Sequence, residues 1–250
     1  MSTLLLRLAA PLQSWGSESR FTERKTRHEP TKSGVIGLLA AAIGRRRTDG
    51  IEDLSKLVYG VRIDQPGSFE CDFQTAHRMD WNATKERWEA GDRKEHNMPL
   101  SHRYYLSDAV FIVGLEAESA ILYEYADALL RPAFPPYLGR RSCPPTGKVV
   151  LQVREDAGLM QSLKETPWQA SQWYRRRQHS EQVELEIVRD ALPTDSGLEH
   201  HEVLRDLPLS FSQEKRDYCW RTIVYDSVIV PNSDVLVPTE HNPWAAMEEV

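Results

Sequence analysis

The sequence predicts an α+β fold in which helices pack on an antiparallel sheet, and three observations lead there. Short apolar runs of strand length recur at 4–10, 58–64, 69–77, 109–115 and 149–153. Two segments with apolar residues at helical spacing, inside 30–47 and at 119–130, fall between them. Setting aside a long excursion at 79–101, the succession approximates βαββαβ, the ferredoxin-like or RNA-recognition (RRM) arrangement.

Each element has a local cause. Residues 4–10 form a short apolar strand, interrupted by Arg7 and ended by Pro11, which cannot donate to a ladder. Gln13-Ser14-Trp15-Gly16 makes a turn whose tryptophan is either a core plug or a stacking platform. Residues 17–29 carry Arg20, Arg24, Lys25 and Arg27 with little apolar content, a surface loop whose arginines either embrace phosphates or are simply solvated. The first helix starts at Thr31 or Ser33, either able to cap it, and stops at Gly44. Gly34 and Gly37 are poor helix formers, and a glycine in a first turn admits a close neighbouring backbone. With Lys32, the free N–H groups and dipole of that helix start suit a phosphate, but for this segment alone the favoured reading is a capped core helix with a solvated lysine.

Residues 51–57 read as a short helix, and Pro66-Gly67 as a turn between two strands. The segment 79–101 mixes charges with Trp81, Trp88, His96 and Pro99, and reads as an extended hairpin without core content. Residues 102–106 lead back into order, 109–115 is a strand, and the helix at 119–130 cannot pass Pro132. The proline-rich stretch 135–147 forms a rigid loop around Gly139, before the strand at 149–153. Beyond it, 168–178 suggests a short helix, 183–188 a strand, 196–207 a polar loop and 219–230 another strand. The expected layout is a domain at 1–154 with the hairpin at about 78–103, a smaller β-containing extension at 155–230 packed on it, and a flexible tail at 231–250.

Composition narrows the function. Hydrophobic residues make up 40% and charged residues 27% of the 250, as in a soluble globular chain. No apolar run suits a membrane helix, and the three scattered cysteines form neither a zinc site nor a disulfide framework. A reducing cytoplasm is the expected compartment, with no cofactor and no metal. The net charge of −6 argues against indiscriminate nucleic-acid binding but hides an asymmetry. Residues 1–47 carry nine Lys/Arg against three Asp/Glu, 131–154 carry five against none, and 181–250 carry fifteen acids against five bases. Such a chain either presents one anion-binding face or scatters these charges over its surface.

Three stretches in series resemble one family. Leu-Arg-Leu-Ala-Ala-Pro-Leu-Gln-Ser-Trp-Gly from Leu6, Pro-Thr-Lys-Ser-Gly-Val-Ile-Gly-Leu-Leu-Ala at 30–40, and Pro-Tyr-Leu-Gly-Arg-Arg-Ser-Cys-Pro at 136–144 resemble the CasD family, over roughly residues 3–230. That family holds the 5′ handle of the guide RNA (crRNA) in type I-E CRISPR Cascade complexes. The resemblance implies a RAMP-type ferredoxin-like fold with a thumb-like β-hairpin and a non-catalytic role. The implied partners are the crRNA 5′ handle, the backbone subunits and the large PAM-reading subunit, with target DNA met through the complex and no membrane. Carried over onto this sequence, the implied RNA contacts are Gln13, Trp15, Arg27, Thr31, Lys32, Ser33, Gly139, Arg140 and Arg141. The hairpin is the least similar part, so it carries over as a region, to which Arg78, Arg103 and Tyr104 at its ends are added. Lys32, Arg27, Arg140 and Arg141 supply charge for a single strand, and Trp15, Tyr104 or Tyr105 a surface for an unstacked base. The rival reading is a metal-independent endoribonuclease processing precursor crRNA, as in type I-C relatives, with His77, His102, Tyr104 and Lys94 as acid–base candidates.

Overall fold

The structure is a computed structural model and describes residues 1–16, 19–20, 22–75, 79–90, 100–195 and 201–235. In chain order the elements are β1 (Ser2–Ala9), β2 (Leu12–Gln13), β3 (Ser19–Arg20), β4 (Glu23–Arg24), α1 (Lys32–Ile43), α2 (Glu52–Ser55), β5 (Val58–Gln65), β6 (Ser68–Thr75), β7 (Met79–Asn82), β8 (Arg87–Ala90), β9 (Leu100–Ser107), β10 (Val110–Ala117), α3 (Ser119–Leu130), β11 (Val150–Arg154), α4 (Leu159–Glu165), α5 (Gln172–Arg177), β12 (Gln182–Asp190), a 3-10 turn at Pro193–Asp195, β13 (His201–Ser210) and β14 (Asp217–Pro231).

Seven strands form the main sheet in the order β11-β1-β10-β5-β12-β14-β13, and each neighbouring pair is antiparallel. β1 lies inside it. Leu4, Leu6 and Leu8 pack toward α1 and α3, while Leu5 faces Ile112, Leu159 and Leu163 on the other side. Burial on both faces explains why β1 reads as a continuous apolar run. Each such leucine contributes about 1.5–3 kcal/mol.

The expected packing of helices on one face is therefore incomplete, because α4 covers the opposite face. Two glycines make room for it. Gly60 and Gly114 are partners across the β5–β10 ladder, and a Cβ on Gly114 would stand 2.5 Å from Leu159 of α4. Below α4, the guanidinium of Arg62 is fully buried. It donates to Asp64 at 2.7 and 2.9 Å and to the carbonyls of Leu163 and Thr166 at 2.6 Å each, so it also satisfies the orphan carbonyls at the helix end.

Within residues 155–230, α4 packs on the sheet while the strands extend it. β12 pairs directly with β5, and β14 and β13 continue the same sheet. The expected loop at 196–207 is corrected in its second half, where β13 begins at His201. Its Pro208 is tolerated because β13 is an edge strand. Of the expected tail at 231–250, only 231–235 is described, and its start is tied to the fold. Asn232 is buried and its Nδ2 donates to the carbonyls of Arg175, Gln178 and Ser180, which ties the end of β14 to α5. Residues 236–250 lie outside the described residues.

β6 and β9 pair over eight residues, from Ser68 opposite Ser107 to Thr75 opposite Leu100. β7 and β8 form a separate two-stranded ladder with Trp81 opposite Trp88, their rings 5.5 Å apart edge to face. Phe69, Phe73, Trp81 and Trp88 are exposed along these strands. No described helix is long and apolar enough to cross a membrane.

Candidate nucleic-acid interface

Most of the expected contact residues converge, but several do so as structure. Gln13 is fully buried. Its Nε2 donates to the carbonyls of Ala109 at 2.7 Å and Leu8 at 3.4 Å, and its Oε1 accepts the Trp15 indole N–H at 3.1 Å. Trp15 is 1% exposed, so of its two readings the core plug holds and stacking on RNA is excluded in this conformation. Its ring lies against Gly34, where a Cβ would stand 2.8 Å away; the close neighbour that this glycine admits is an indole and not a backbone. Thr31 caps α1, its Oγ1 accepting the Gly34 N–H at 3.2 Å, and Ser33 Oγ donates to the same oxygen at 3.3 Å.

Lys32, expected at a phosphate, is engaged inside the protein. Its side chain is buried and its Nζ lies 2.9 Å from Asp190 Oδ2. The Lys32 backbone N–H donates to Asp206 Oδ2 at 2.8 Å, so an internal carboxylate already occupies the start of α1. Arg221 closes the cluster with 2.5 and 2.9 Å bonds to Asp206 and a 2.7 Å bond to Asp190, its guanidinium over the Tyr59 ring. Burial works against the Arg221 charge, but the two aspartates outweigh it and hold its pKa up. Asp190, Asp206 and Arg221 were not singled out from the sequence; the available signal was a charge set inside or at the end of otherwise apolar strand patterns.

Arg27 is half-buried and paired with Glu29 at 2.6 Å, while its N–H donates to the Trp15 carbonyl at 2.8 Å. Gly139 adopts φ +84°, and a Cβ there would lie 1.7 Å from the Ser14 carbonyl oxygen, so only glycine fits. The Ser14 N–H donates to Leu138 O at 3.2 Å, and Leu138 and Cys143 close the loop on each other. Burial pushes the Cys143 thiol up, which keeps it neutral within that loop.

The loop delivers Arg140 to β9. Its guanidinium lies 4.6 Å from the centroid of the Tyr105 ring, and its Nη2 donates to the Arg24 carbonyl at 2.6 Å. β4 runs parallel to β9 with Arg24 beside Arg103. The backbone pairing thus brings Arg24, Arg103 and Arg140 together, with Asp72 opposite Arg103 on β6 and with Lys25 and Arg141 exposed nearby in sequence. Two atoms of this cluster are unpaired: Arg103 Nε and Arg140 Nη1 are shielded from solvent without an acceptor. Leaving such donors unmade costs about 1–3 kcal/mol each, which an incoming acceptor would recover. Arg24 was noted in the sequence as a loop arginine; its pairing with Arg103 depends on a parallel β4–β9 contact that no local pattern announces.

Tyr104 lies on the other face of β9, with Cys71 beside it raising its pKa and Cys71 Sγ 3.9 Å from His102 Nδ1. Arg78, with His77 and Lys94, lies outside the described residues. Among the described residues no group of His, Cys, Asp and Glu side chains could hold a metal ion.

Comparison with known proteins agrees with this architecture. The family described as CRISPR-associated protein (Cas_Cas5) matches residues 3–224. The CRISPR system Cascade subunit CasD of Escherichia coli (strain K12) is 36% identical over 157 residues, which cover 60% of this chain and 70% of that protein. A chain of a CRISPR RNA-guided surveillance complex superposes with a TM-score of 0.74 at 35% identity, covering 95% of both chains. A chain from a crystal structure of a Cas protein gives 0.64 at 34% identity, covering 93% of this chain and 97% of that one. With the family matched along nearly the whole described sheet, the chain belongs to the Cas5 family of CRISPR-associated proteins, alongside CasD.

Proposed function

We propose that this chain is a non-catalytic subunit of a type I-E Cascade complex in the cytoplasm, where it caps the 5′ handle of crRNA and links the backbone subunits to the large PAM-reading subunit. The observation that carries the proposal is the cluster of Arg24, Arg103 and Arg140 with its two unpaired guanidinium N–H groups. Phosphate oxygens are the acceptors that such donors fit best. Arg141 and Lys25, exposed beside it in sequence, add charge, and Tyr104, on the opposite face of β9, is a separate half-buried ring for a base. The order β11-β1-β10-β5, with α1 and α3 on one face, supports the ferredoxin-like RAMP reading, and the paired arms β6 and β9 support the thumb reading. His102 and Tyr104 have only Cys71 between them, so the endoribonuclease reading gains no base–acid pair from their geometry.

The test is a salt titration of handle-RNA binding, wild type against Arg24→Ala/Arg103→Ala/Arg140→Ala, in the assembled complex. Each lost phosphate contact flattens the dependence of log affinity on log salt by about 0.7, so the triple variant should be shallower by about two units. A thermal melt checks that the fold survives. Equal slopes and affinities in a folded variant would remove this cluster from the RNA path.

A further inference from the structure

A second concave site lies apart from the arginine cluster, at the root of the β6–β9 pair. It is a half-open recess of about 330 Å³ between Gly67–Ser68, Ser107–Asp108 and α5, where Trp173, Tyr174, Arg177 and the following Gln178 line it. Its walls are held rigidly. Gln65, 1% exposed, donates to the Asp108 carbonyl at 2.5 Å and accepts the Ser171 N–H at 3.0 Å, bridging the strand root to the start of α5. Gly67 adopts φ +73°, and a Cβ there would lie 2.4 Å from the Ser107 carbonyl oxygen. Asn232 fastens the other end of α5 through three carbonyls. A cavity built this way needs little reordering to bind.

Part of its lining is unspent. The Trp173 ring is half-exposed and stands edge to face with Tyr174 at 5.7 Å. The guanidinium of Arg177, the carboxylate of Asp108 and the hydroxyl of Tyr174 make no hydrogen bond or ion pair to any described residue. Burial raises the Tyr174 pKa, so its hydroxyl stays a donor. An aromatic wall, a cation, a carboxylate acceptor and a hydroxyl within one small cavity match the parts of a single nucleotide: base face, phosphate, exocyclic amino group and ribose oxygen.

We propose that this cavity is a second RNA subsite that takes one unstacked nucleotide, its base against Trp173, its phosphate at Arg177 and its amino group at Asp108. The inference rests on the reading of the chain as an RNA-binding subunit. It adds a base preference: adenine, cytosine and guanine carry an amino group for Asp108, and uracil does not. Because the walls come from both strand roots and from α5, an occupied cavity also braces the β6–β9 pair against the C-terminal half of the sheet.

Two measurements test this. The first is ultraviolet cross-linking of RNA within the assembled complex, with adducts mapped by mass spectrometry. Adducts on Trp173 or Tyr174 that disappear in Arg177→Gln support the subsite. Adducts confined to the 22–30, 100–105 and 137–143 segments overturn it and leave the RNA-binding reading standing. Protein cross-links to Trp173 in place of RNA overturn it in favour of a partner subunit, and absence of RNA from the chain overturns both. The second is titration of the full chain with AMP, CMP and UMP, followed by tryptophan fluorescence. AMP and CMP should bind at least fivefold more tightly than UMP, with the quench lost in Trp173→Ala. Asp108→Asn, which tolerates the φ of +54° at this position, should abolish the preference over UMP in a chain that melts like wild type. Equal binding of the three nucleotides by wild type overturns the assigned role of Asp108.

Discussion

Lys32 Nζ lies 2.9 Å from Asp190 Oδ2, which joins the first turn of α1 to the end of β12 across the sheet. Asp190 also receives the Tyr59 N–H at 3.0 Å and Arg221 at 2.7 Å, so the lysine completes a network of two carboxylates and two cations. The contact gives this cation at a helix start an internal partner. Asp206 already supplies the negative charge at that terminus, and Lys32 neutralises its neighbour.

Lys32→Ala should therefore act on stability before it acts on RNA. Breaking a buried pair by removing one partner costs about 3–5 kcal/mol, and the low end applies because Arg221 and the Tyr59 N–H still reach Asp190. Denaturant unfolding should show a lower midpoint with an unchanged slope. Arg141→Ala, at an exposed position, should stay within about 0.5 kcal/mol of wild type. Equal stability of the two variants would remove the network from the list of supports of the fold.

The two glycines of α1 should respond in opposite directions. At Gly34 an alanine Cβ enters the Trp15 ring, and overpacking costs about 1–3 kcal/mol, which outweighs a gain of about 1 kcal/mol in helix propensity. At Gly37 the nearest heavy atom is 3.8 Å away on Phe211, so Gly37→Ala keeps the propensity gain. Melting temperatures of the two variants should fall on either side of wild type. Two shifts of the same sign would contradict this account of Gly34.

Parts of this arrangement were legible in the sequence for local reasons. Gly44 stops α1 in the left-handed conformation at φ +91°, as its position after the apolar face suggested. β1, β5, β10, β11 and α3 followed from apolar period and proline placement. The roles of Trp15 and Lys32 were not legible, because each is set by residues far along the chain: Gly34 and Gln13 for the indole, Asp190 and Asp206 for the lysine. β13 was hidden by its polar first half, where His201, Glu202, Arg205 and Asp206 made 196–207 read as a polar loop. α4 announced itself only through Gly60 and Gly114, glycines inside strand patterns that mark a close approach.

Excising 76–99 and joining Thr75 to Leu100 through Asn-Gly should leave the sheet intact. Thr75 and Leu100 already face each other in the antiparallel register, and a two-residue turn suits that geometry. None of the removed residues belongs to the described core, so the change in unfolding free energy should be within about 1 kcal/mol. Assembly with RNA and partner subunits should fall in the same protein. Loss of a cooperative melt would show that the excised stretch supports the fold and would withdraw the thumb reading.

The turn between β12 and β13 gives a prediction with a defined pH sign. Asp195 accepts Arg189 Nη1 at 2.6 Å and Nη2 at 3.1 Å, and the Leu192 N–H at 2.6 Å, while Arg189 also holds Asp226 at 2.7 Å. The Arg189 guanidinium holds the Asp195 carboxyl below its ordinary value. A carboxylate with a depressed folded pKa binds fewer protons folded than unfolded, so its contribution is complete above the ordinary range near 4 and is lost as pH falls through the folded value. Asp195→Asn should then destabilise by about 1 kcal/mol at pH 7, discounted from a buried charged bond because the carboxylate is partly solvated. The gap to wild type should narrow as pH falls below about 4, because wild type then loses the charge that the variant already lacks. Arg189 keeps Asp226 in the variant, which limits the loss to one arm of the fork. Unfolding curves of the two proteins at pH 7 and at successively lower pH measure this directly. A gap that widens on acidification would mean that Asp195 is held protonated and that the Arg189 fork does not stabilise the turn.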